Sequence, residues 1–337
     1  MPSPIPVSRL LPKDLFPSVD AGACSSPLLK HGHTLHVPAP RPAGHGRYSR
    51  PWASVIVWPE LRAVEPLGSG GFGSVFSAQY LGQSAALKRV NRSTKNRLAS
   101  RHSFWNELNA AHARHRNIVR VLAASTCVPA EPWYEGCVGC VLMELCVSDL
   151  QQRIYGAAPL EETRSLRYAA DVTHGLRFLH AHGVLHLDIK PANLLLSRDD
   201  VVKIADFGCS VKLEPGSDAV SPQLSHVGGT FTHRAPELLR GEPVSAKADV
   251  FSFAITLWQL LTREPPYVGD RQYVIYAVVA REMRPPLHGH AVFSGARGHV
   301  FSALLSRCWS AQPQNRPSSE ELTEELLLLR GPGAPDT

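Results

Sequence analysis

The sequence predicts an α+β chain of two unequal lobes, a small antiparallel β-rich lobe with one main helix ahead of a larger α-rich lobe. Three observations predict it. From residue 55 through 88, glycines punctuate alternating apolar residues, the period of paired strands. One stretch of helical spacing, 103–113 with Phe104, Leu108 and Ala111, then stands between strand-length runs. Beyond Cys146 helical periodicity dominates.

The chain has 337 residues, 44% apolar and 19% charged, the composition of a folded protein with a real core. Residues 1–55 are rich in Pro, Gly, Ser and His and carry no apolar period, so a disordered tail is expected there. Ser3-Pro4 and Ser26-Pro27 are candidate proline-directed phosphorylation sites within it. The folded domain is expected over 60–331, with the small lobe at 60–146, the large lobe at 147–331 and a short polar end at 332–337. Phe76 to Tyr80 and Ala85-Ala86-Leu87-Lys88 read as consecutive antiparallel strands, and 118–123 and 138–145 as two more. In the large lobe, 160–180 sets Leu166, Ala169, Val172, Leu176 and Leu179 on one helical face. The runs 248–261 and 275–280 follow, and 322–329 closes the domain before a Gly-Pro-Gly stop.

Charge and cysteine content exclude several classes. Against 29 acidic residues stand 35 Lys and Arg, giving +6, yet the basic residues are scattered without aromatic interleaving, so no nucleic-acid partner is expected. The most apolar stretch, 250–261, is broken by Ser252, Thr256 and Gln259 and is too short for a bilayer, so no membrane partner is expected. The Met1-Pro2-Ser3-Pro4 start is no secretory signal, and seven dispersed cysteines lack the density of a disulfide scaffold. A reducing, cytoplasmic setting is expected. Cys137 and Cys140 form a C-x-x-C pair without the further ligands a structural zinc needs, so two thiols beside a strand is the expectation.

The residues that carry chemistry come in a fixed order. Gly68-Ser69-Gly70-Gly71-Phe72-Gly73-Ser74-Val75 fits G-x-G-x-x-G-x-V, in which bare glycines let backbone N–H groups approach phosphate oxygens. A strand follows it where a dinucleotide turn would have a helix, which favours a hairpin covering a nucleotide. Lys88 ends the next strand, within reach of α- and β-phosphates, and Glu107 on the following helix is placed to hold its ammonium. His186-Leu187-Asp188-Ile189-Lys190-Pro191-Ala192-Asn193, followed by Asp206-Phe207-Gly208, is the most specific stretch. Phosphoryl transfer needs an acceptor for a hydroxyl proton, ligands for Mg²⁺, and positive charge at the migrating group. Asp188, the pair Asn193 and Asp206, and Lys190 can supply these in turn. Gly229-Thr230 leads into Ala235-Pro236-Glu237, with the Thr230 hydroxyl expected on Asp188 and Lys190. Glu237 calls for a cation, for which Arg316 is the candidate, and Asp249 is expected to brace the catalytic loop.

These signatures together resemble the eukaryotic protein kinase family across about residues 60–330. The resemblance implies the bilobal kinase fold, ATP and Mg²⁺ as cofactors, and transfer to a protein. Lys190 two residues after Asp188 is similar to the serine/threonine branch. Position by position, it also implies that Ala86, Met143, Glu144, Leu145 and Cys146 surround adenine, Met143 as the gate and the next three through backbone groups. Within that branch, Asn117-Ile118-Val119-Arg120, Ile154-Tyr155-Gly156-Ala157-Ala158 and the Met1-Pro2-Ser3-Pro4 start are similar to a subfamily of upstream kinases. That narrower resemblance implies phosphorylation of MAP kinase kinase in oocyte meiosis, with regulation at Ser3 and turnover depending on Pro2. A monomer is expected.

Leu187 departs from the family pattern, which has Arg before the catalytic Asp to receive a phosphorylated activation segment. Activity without phosphorylation of Ser217, Ser221 or Ser225 is therefore expected. Cys209, next to Asp206-Phe207-Gly208, is a candidate for alkylation if its thiol is exposed and acidic. Two readings compete with the enzyme: a scaffolding pseudokinase, which would lack Lys88, Asp188 or Asp206, and a kinase of small molecules, against which the Ala-Pro-Glu segment argues. A related upstream kinase with a different protein substrate is the third alternative.

Overall fold

Alternation along 85–90 decides the small lobe. Ala85 and Leu87 face one apolar cluster with Tyr80, Ala123 and Leu142, while Ala86 and Val90 face another with Phe104, Val121, Val141 and Met143. The period of two therefore buries both faces of one strand and turns Lys88 inward with Ala86 and Val90. The computed structural model describes residues 55–330 except 71–72, 92–96, 111, 131–133, 135 and 222–229. The expected tail up to residue 54 with Pro2, Ser3 and Ser26, the end 332–337, and Gly71, Phe72, Ser225 and Gly229 lie outside the described residues.

The sheet of the small lobe holds β1 (Leu61–Gly70), β2 (Gly73–Tyr80), β3 (Gln83–Asn91), β4 (Val121–Ser125) and β5 (Cys137–Glu144) in the antiparallel order β1-β2-β3-β5-β4. Helix α1 (Arg97–Ala110) packs on it. Phe104 of α1 sits so close to β5 that a Cβ on Gly139 would lie 2.5 Å from its ring, which is why a glycine interrupts that strand. The helix begins six residues earlier than its apolar spacing predicts.

The large lobe is built on two buried helices. Along α3 (Glu162–Ala181) the predicted face, Leu166, Ala169, Val172, Leu176 and Leu179, is buried. Helix α5 (Lys247–Thr262) is buried nearly all round, from Val250 and Phe251 through Trp258 and Leu260, and forms the centre of the core. Around them lie α2 (Leu150–Tyr155), α4 (Pro236–Arg240), α6 (Arg271–Ala280), α7 (Gly295–Cys308) and α8 (Ser319–Arg330). Short strands β6 (Ser148–Asp149), β8 (Leu194–Leu196) and β9 (Val202–Ile204) make one small sheet, and β7 (Val184–Leu185) pairs with β10 (Val211–Lys212). The expected strand at 118–123 divides: 121–125 joins the main sheet, while Ile118 bridges Ile204 of β9. None of the described helices is long and apolar enough to cross a membrane. Cys137 and Cys140 lie buried on β5 with sulfurs 3.9 Å apart, and no cluster of metal-ligating side chains occurs among the described residues.

Candidate active site

The site forms where β3, α1 and the loops before β8 and after β9 converge. Across the sheet Val75, Lys88 and Val141 stand opposite one another, so the ammonium emerges beneath the β1–β2 hairpin. There Lys88 donates to Glu107 Oε1 and, at 2.8 Å, to Asp206 Oδ1. Burial alone would discharge the Lys88 ammonium, but the two carboxylates outweigh it and raise its pKa above the ordinary value. Burial lifts Glu107 to about 7 against the opposing Lys88 charge. For Asp206 burial pushes upward too, yet the Lys88 charge prevails and holds the carboxyl well below the usual range.

Asp206 adopts left-handed backbone (φ 61°, ψ 69°) before a turn at Phe207–Cys209 whose Phe207 enters the large-lobe core. Asn106 of α1 donates to the Gly208 carbonyl at 3.2 Å, and a Cβ on Gly208 would lie 2.5 Å from Ser103 Oγ. Helix and loop thus fit closely, with glycine at the contact. Nothing in the sequence marked Asn106 beyond its place beside Glu107.

The catalytic loop is held from below. Asp249 accepts the N–H groups of His186 and Leu187 at 2.8 and 2.7 Å and a bond from His180 Nε2 at 2.9 Å. The bracing role expected of Asp249 is what the structure places there, with His180 as a partner the sequence did not reveal. Leu187 has φ 62°, a conformation costing about 1–2 kcal/mol for a residue with a Cβ. Its own N–H bond to Asp249 helps hold it. His186, quoted in the motif without a role, bonds the Ala205 carbonyl at 3.0 Å and accepts from the Asp188 N–H at 3.3 Å.

Asp188 has an acceptor count that can be followed atom by atom. Oδ2 accepts from Lys190 Nζ and Asn193 Nδ2, each at 2.9 Å, and Oδ1 accepts from the Thr230 N–H at 2.9 Å. A carboxylate has about four lone-pair sites, so these bonds leave one on Oδ1. Lys190 Nζ also donates to Thr230 Oγ1 at 2.6 Å, which commits two of its three protons. The Thr230 hydroxyl meets Lys190 as expected, but the contact to Asp188 comes from the backbone N–H, a correction that sequence could not anticipate. Asn193 uses Nδ2 for Asp188 O and Oδ2, and those bonds spare its Oδ1.

The adenine side is mixed. Ala86 lies opposite Met143 in the sheet, both buried. Glu144 has its N–H on the Arg120 carbonyl at 2.9 Å and its carboxylate on Arg120 N and Lys203, so its amide is already committed. Among the described residues the N–H groups of Leu145 and Cys146 have no backbone partner. Cys209 is buried, and burial, helped by Asp188 and Asp206, pushes its thiol up to about 12, so it is not the acidic, accessible group that alkylation needs.

Two glycines of the hairpin differ. A Cβ on Gly73 would stand 2.0 Å from the Arg89 carbonyl, so its absence serves the β2–β3 contact. Among the described residues nothing lies within 4 Å of a Cβ on Gly68, which leaves space there for a phosphate group. Gly70 closes β1 opposite Gly73, and Ser69 stands opposite Ser74. With the Asp206 carboxylate beside Lys88 and the Asn193 oxygen spared by the bonds its Nδ2 makes to Asp188, the residues fit a nucleotide carrying a hard divalent cation. Behind the site, Glu237 is held by Arg316 through two bonds of 2.7 and 2.8 Å, as its sequence position predicts.

Residues 61–328 match the family profile described as protein kinase domain. The serine/threonine-protein kinase mos of Xenopus laevis is 53% identical over 97% of this chain and 92% of its own length. The same kinase of Gallus gallus is 45% identical over 98% of this chain and 99% of its own. The proto-oncogene serine/threonine-protein kinase mos of Sus scrofa is 47% identical over the same shares.

Proposed function

The chain belongs to the protein kinase family and, within it, to the mos serine/threonine kinases, and from that premise we propose how its site works and what it acts on. It is a protein serine/threonine kinase, an ATP-dependent phosphotransferase. We take the divalent metal to be Mg²⁺, held by Asn193 and Asp206. Bound there, it would supply positive charge against the negative charge that builds on the phosphate groups.

The chain's own residues do the rest. Lys88, kept charged by Glu107 and Asp206, holds the α- and β-phosphates beneath Gly68 to Val75. The vacant acceptor site on Asp188 Oδ1 receives the proton of a substrate Ser or Thr hydroxyl. The third proton of Lys190 faces the migrating phosphoryl group, while Thr230 keeps Lys190 and Asp188 aligned. The observation that carries this reading is the acceptor site on Asp188 that the described residues leave free, beside the proton of Lys190 that they leave unspent. A scaffolding pseudokinase has no use for either.

The substrate we propose is MAP kinase kinase, phosphorylated in the cytoplasm by a monomeric enzyme that thereby drives the MAP kinase cascade in oocyte meiotic maturation and metaphase arrest. Support comes from the likeness to the mos kinases along almost the whole chain. The test is transfer of radiolabelled phosphate from Mg·ATP to catalytically inactive MAP kinase kinase, set against Lys88→Met and Asp188→Asn. Labelling on Ser or Thr that both changes abolish is the expected result. Labelling of a generic protein but not of MAP kinase kinase would discard the substrate and keep the enzyme.

A further inference from the structure

Away from the active site, α2, α3, α7 and α8 enclose a cavity of about 570 Å³ on the large lobe. Five arginines line it: Arg153 from α2, Arg164 and Arg167 from α3, Arg297 from α7 and Arg330 from α8. They are distant in sequence, so the fold gathers them. Carboxylates pair with at least three of them. Asp200 pairs with both Arg164 and Arg167, Glu162 pairs with Arg297 at 2.7 Å, and Glu161 is the one carboxylate on the wall itself among the described residues. The Nε–H of Arg167 is buried with no hydrogen-bond partner among the described residues. Helix α3 also begins here, and its N-terminus has no side-chain cap, so the positive end of its dipole adds to the field.

Clustered guanidinium groups of this kind are suited to a multivalent oxyanion, since each offers a planar fork of donors that a phosphate can accept. Among the described residues no aromatic side chain lines the cavity to stack a nucleobase. Ala158, Pro159 and Leu166 complete the wall with apolar surface, which an inositol phosphate could not use but the side chains flanking a phosphorylated residue could. We propose that this cavity binds a phosphoserine- or phosphothreonine-bearing segment of a partner protein, at a site separate from the one that transfers phosphate. The proposal stands independently of the identity of the substrate.

The test uses the full chain and fluorescence anisotropy with a peptide pool that fixes one phosphoserine between degenerate flanks. The phosphorylated pool is expected to bind at least about tenfold more tightly than its unphosphorylated counterpart. Arg164→Gln and Arg297→Gln, made singly at half-exposed positions, should each weaken that binding about tenfold while melting temperature and phosphate transfer to a generic protein stay unchanged. Equal binding of the two pools, or binding indifferent to both substitutions, overturns the proposal. So does tight binding of inositol hexakisphosphate or an RNA oligomer when the phosphopeptide pool fails to bind. If either variant melts early, free phosphoserine amino acid replaces the pool, and its failure to protect Arg164 and Arg297 from a guanidinium-modifying reagent in the unaltered chain likewise overturns it.

Discussion

Glu237→Ala should unsettle this protein more than most single changes, because it strands a cation in the core. The Arg316 side chain is 0% exposed and that of Glu237 3%, so no water replaces the lost carboxylate. Arg316 keeps its bonds to the carbonyls of Ser310 and Lys247 and its place over the Phe251 ring, so it cannot swing out to solvent. Breaking a buried pair from one side costs about 3–5 kcal/mol. Against a total of roughly 5–15 kcal/mol for a folded domain, that is a large fraction. At about 2–4 °C per kcal/mol for a domain this large, the melting temperature should fall by roughly 6–20 °C. Thermal unfolding followed by circular dichroism measures it, beside the double variant Glu237→Leu/Arg316→Met, which removes both charges and should recover at least half of the loss. A single variant within about 1 kcal/mol of the parent, or a double variant no more stable than the single, would refute the reasoning.

Four other outcomes follow from the geometry. With Glu107 titrating at about 7, kcat/KM for ATP should rise with pH through that value as the carboxylate forms, and Glu107→Gln should give a low, flat profile; an unchanged limb in the variant assigns the titration elsewhere. His233 is buried neutral against Gln259 and its pKa is pushed down to about 4, so the unfolded chain binds a proton there between pH 6.5 and 4 that the folded chain refuses. Stability should therefore drop by about 3 kcal/mol as pH falls through that window, and His233→Gln should flatten that part of a denaturant–pH series. Gly73→Ala should cost about 1–3 kcal/mol by forcing β2 off the Arg89 carbonyl, whereas Gly68→Ala should leave the unliganded melting temperature unchanged; equal effects would contradict the contacts described. With Leu187 buried in place of the usual arginine, phosphatase-treated enzyme should transfer phosphate as fast as untreated enzyme, and recovery only after a serine of 217–225 is phosphorylated would falsify that expectation.

Much of this was legible in the sequence because periodicity and motif spacing record it. The strands around 76–80 and 85–88, the buried face of α3 and the apolar run within α5 follow from side-chain period, and the order of Lys88, Glu107, Asp188, Asn193 and Asp206 follows from chemistry. What escaped was set by tertiary contact. Helix α7 starts Gly-Ala-Arg-Gly, a poor local signal, and is made stable by burying Phe301, Leu304 and Leu305. Two-residue strands such as β6 and β7 are too short to show a period. Asn106 and His180 matter through partners over 60 residues away, Gly208 and Asp249, and no spacing rule connects such pairs. The contact of Thr230 with Lys190 was expected from the motif, but that with Asp188 was misplaced by one atom group, since which of its donors faces Asp188 depends on backbone direction.

Besides the contacts at the site, where Lys88 meets Asp206 and Asn106 meets Gly208, two sets of backbone bonds fasten the connection between the lobes. One is the strand connection after β5, where Val147 N–H bonds the Leu196 carbonyl at 2.8 Å. The other is the bridge at 117–119: Val119 N–H meets the Ile204 carbonyl, Ile204 N–H meets that of Asn117, and the Asn117 amide reaches Val202. Gly175 of α3 lets the second tie lie flush, since a Cβ there would stand 2.9 Å from the Asn117 carbonyl. Bonds at these two positions oppose sideways displacement of the small lobe more than rotation about the line that joins them. Rotation about that line would have to loosen the Lys88–Asp206 and Asn106–Gly208 bonds, so the small lobe is a door latched at the site as well as hung behind it.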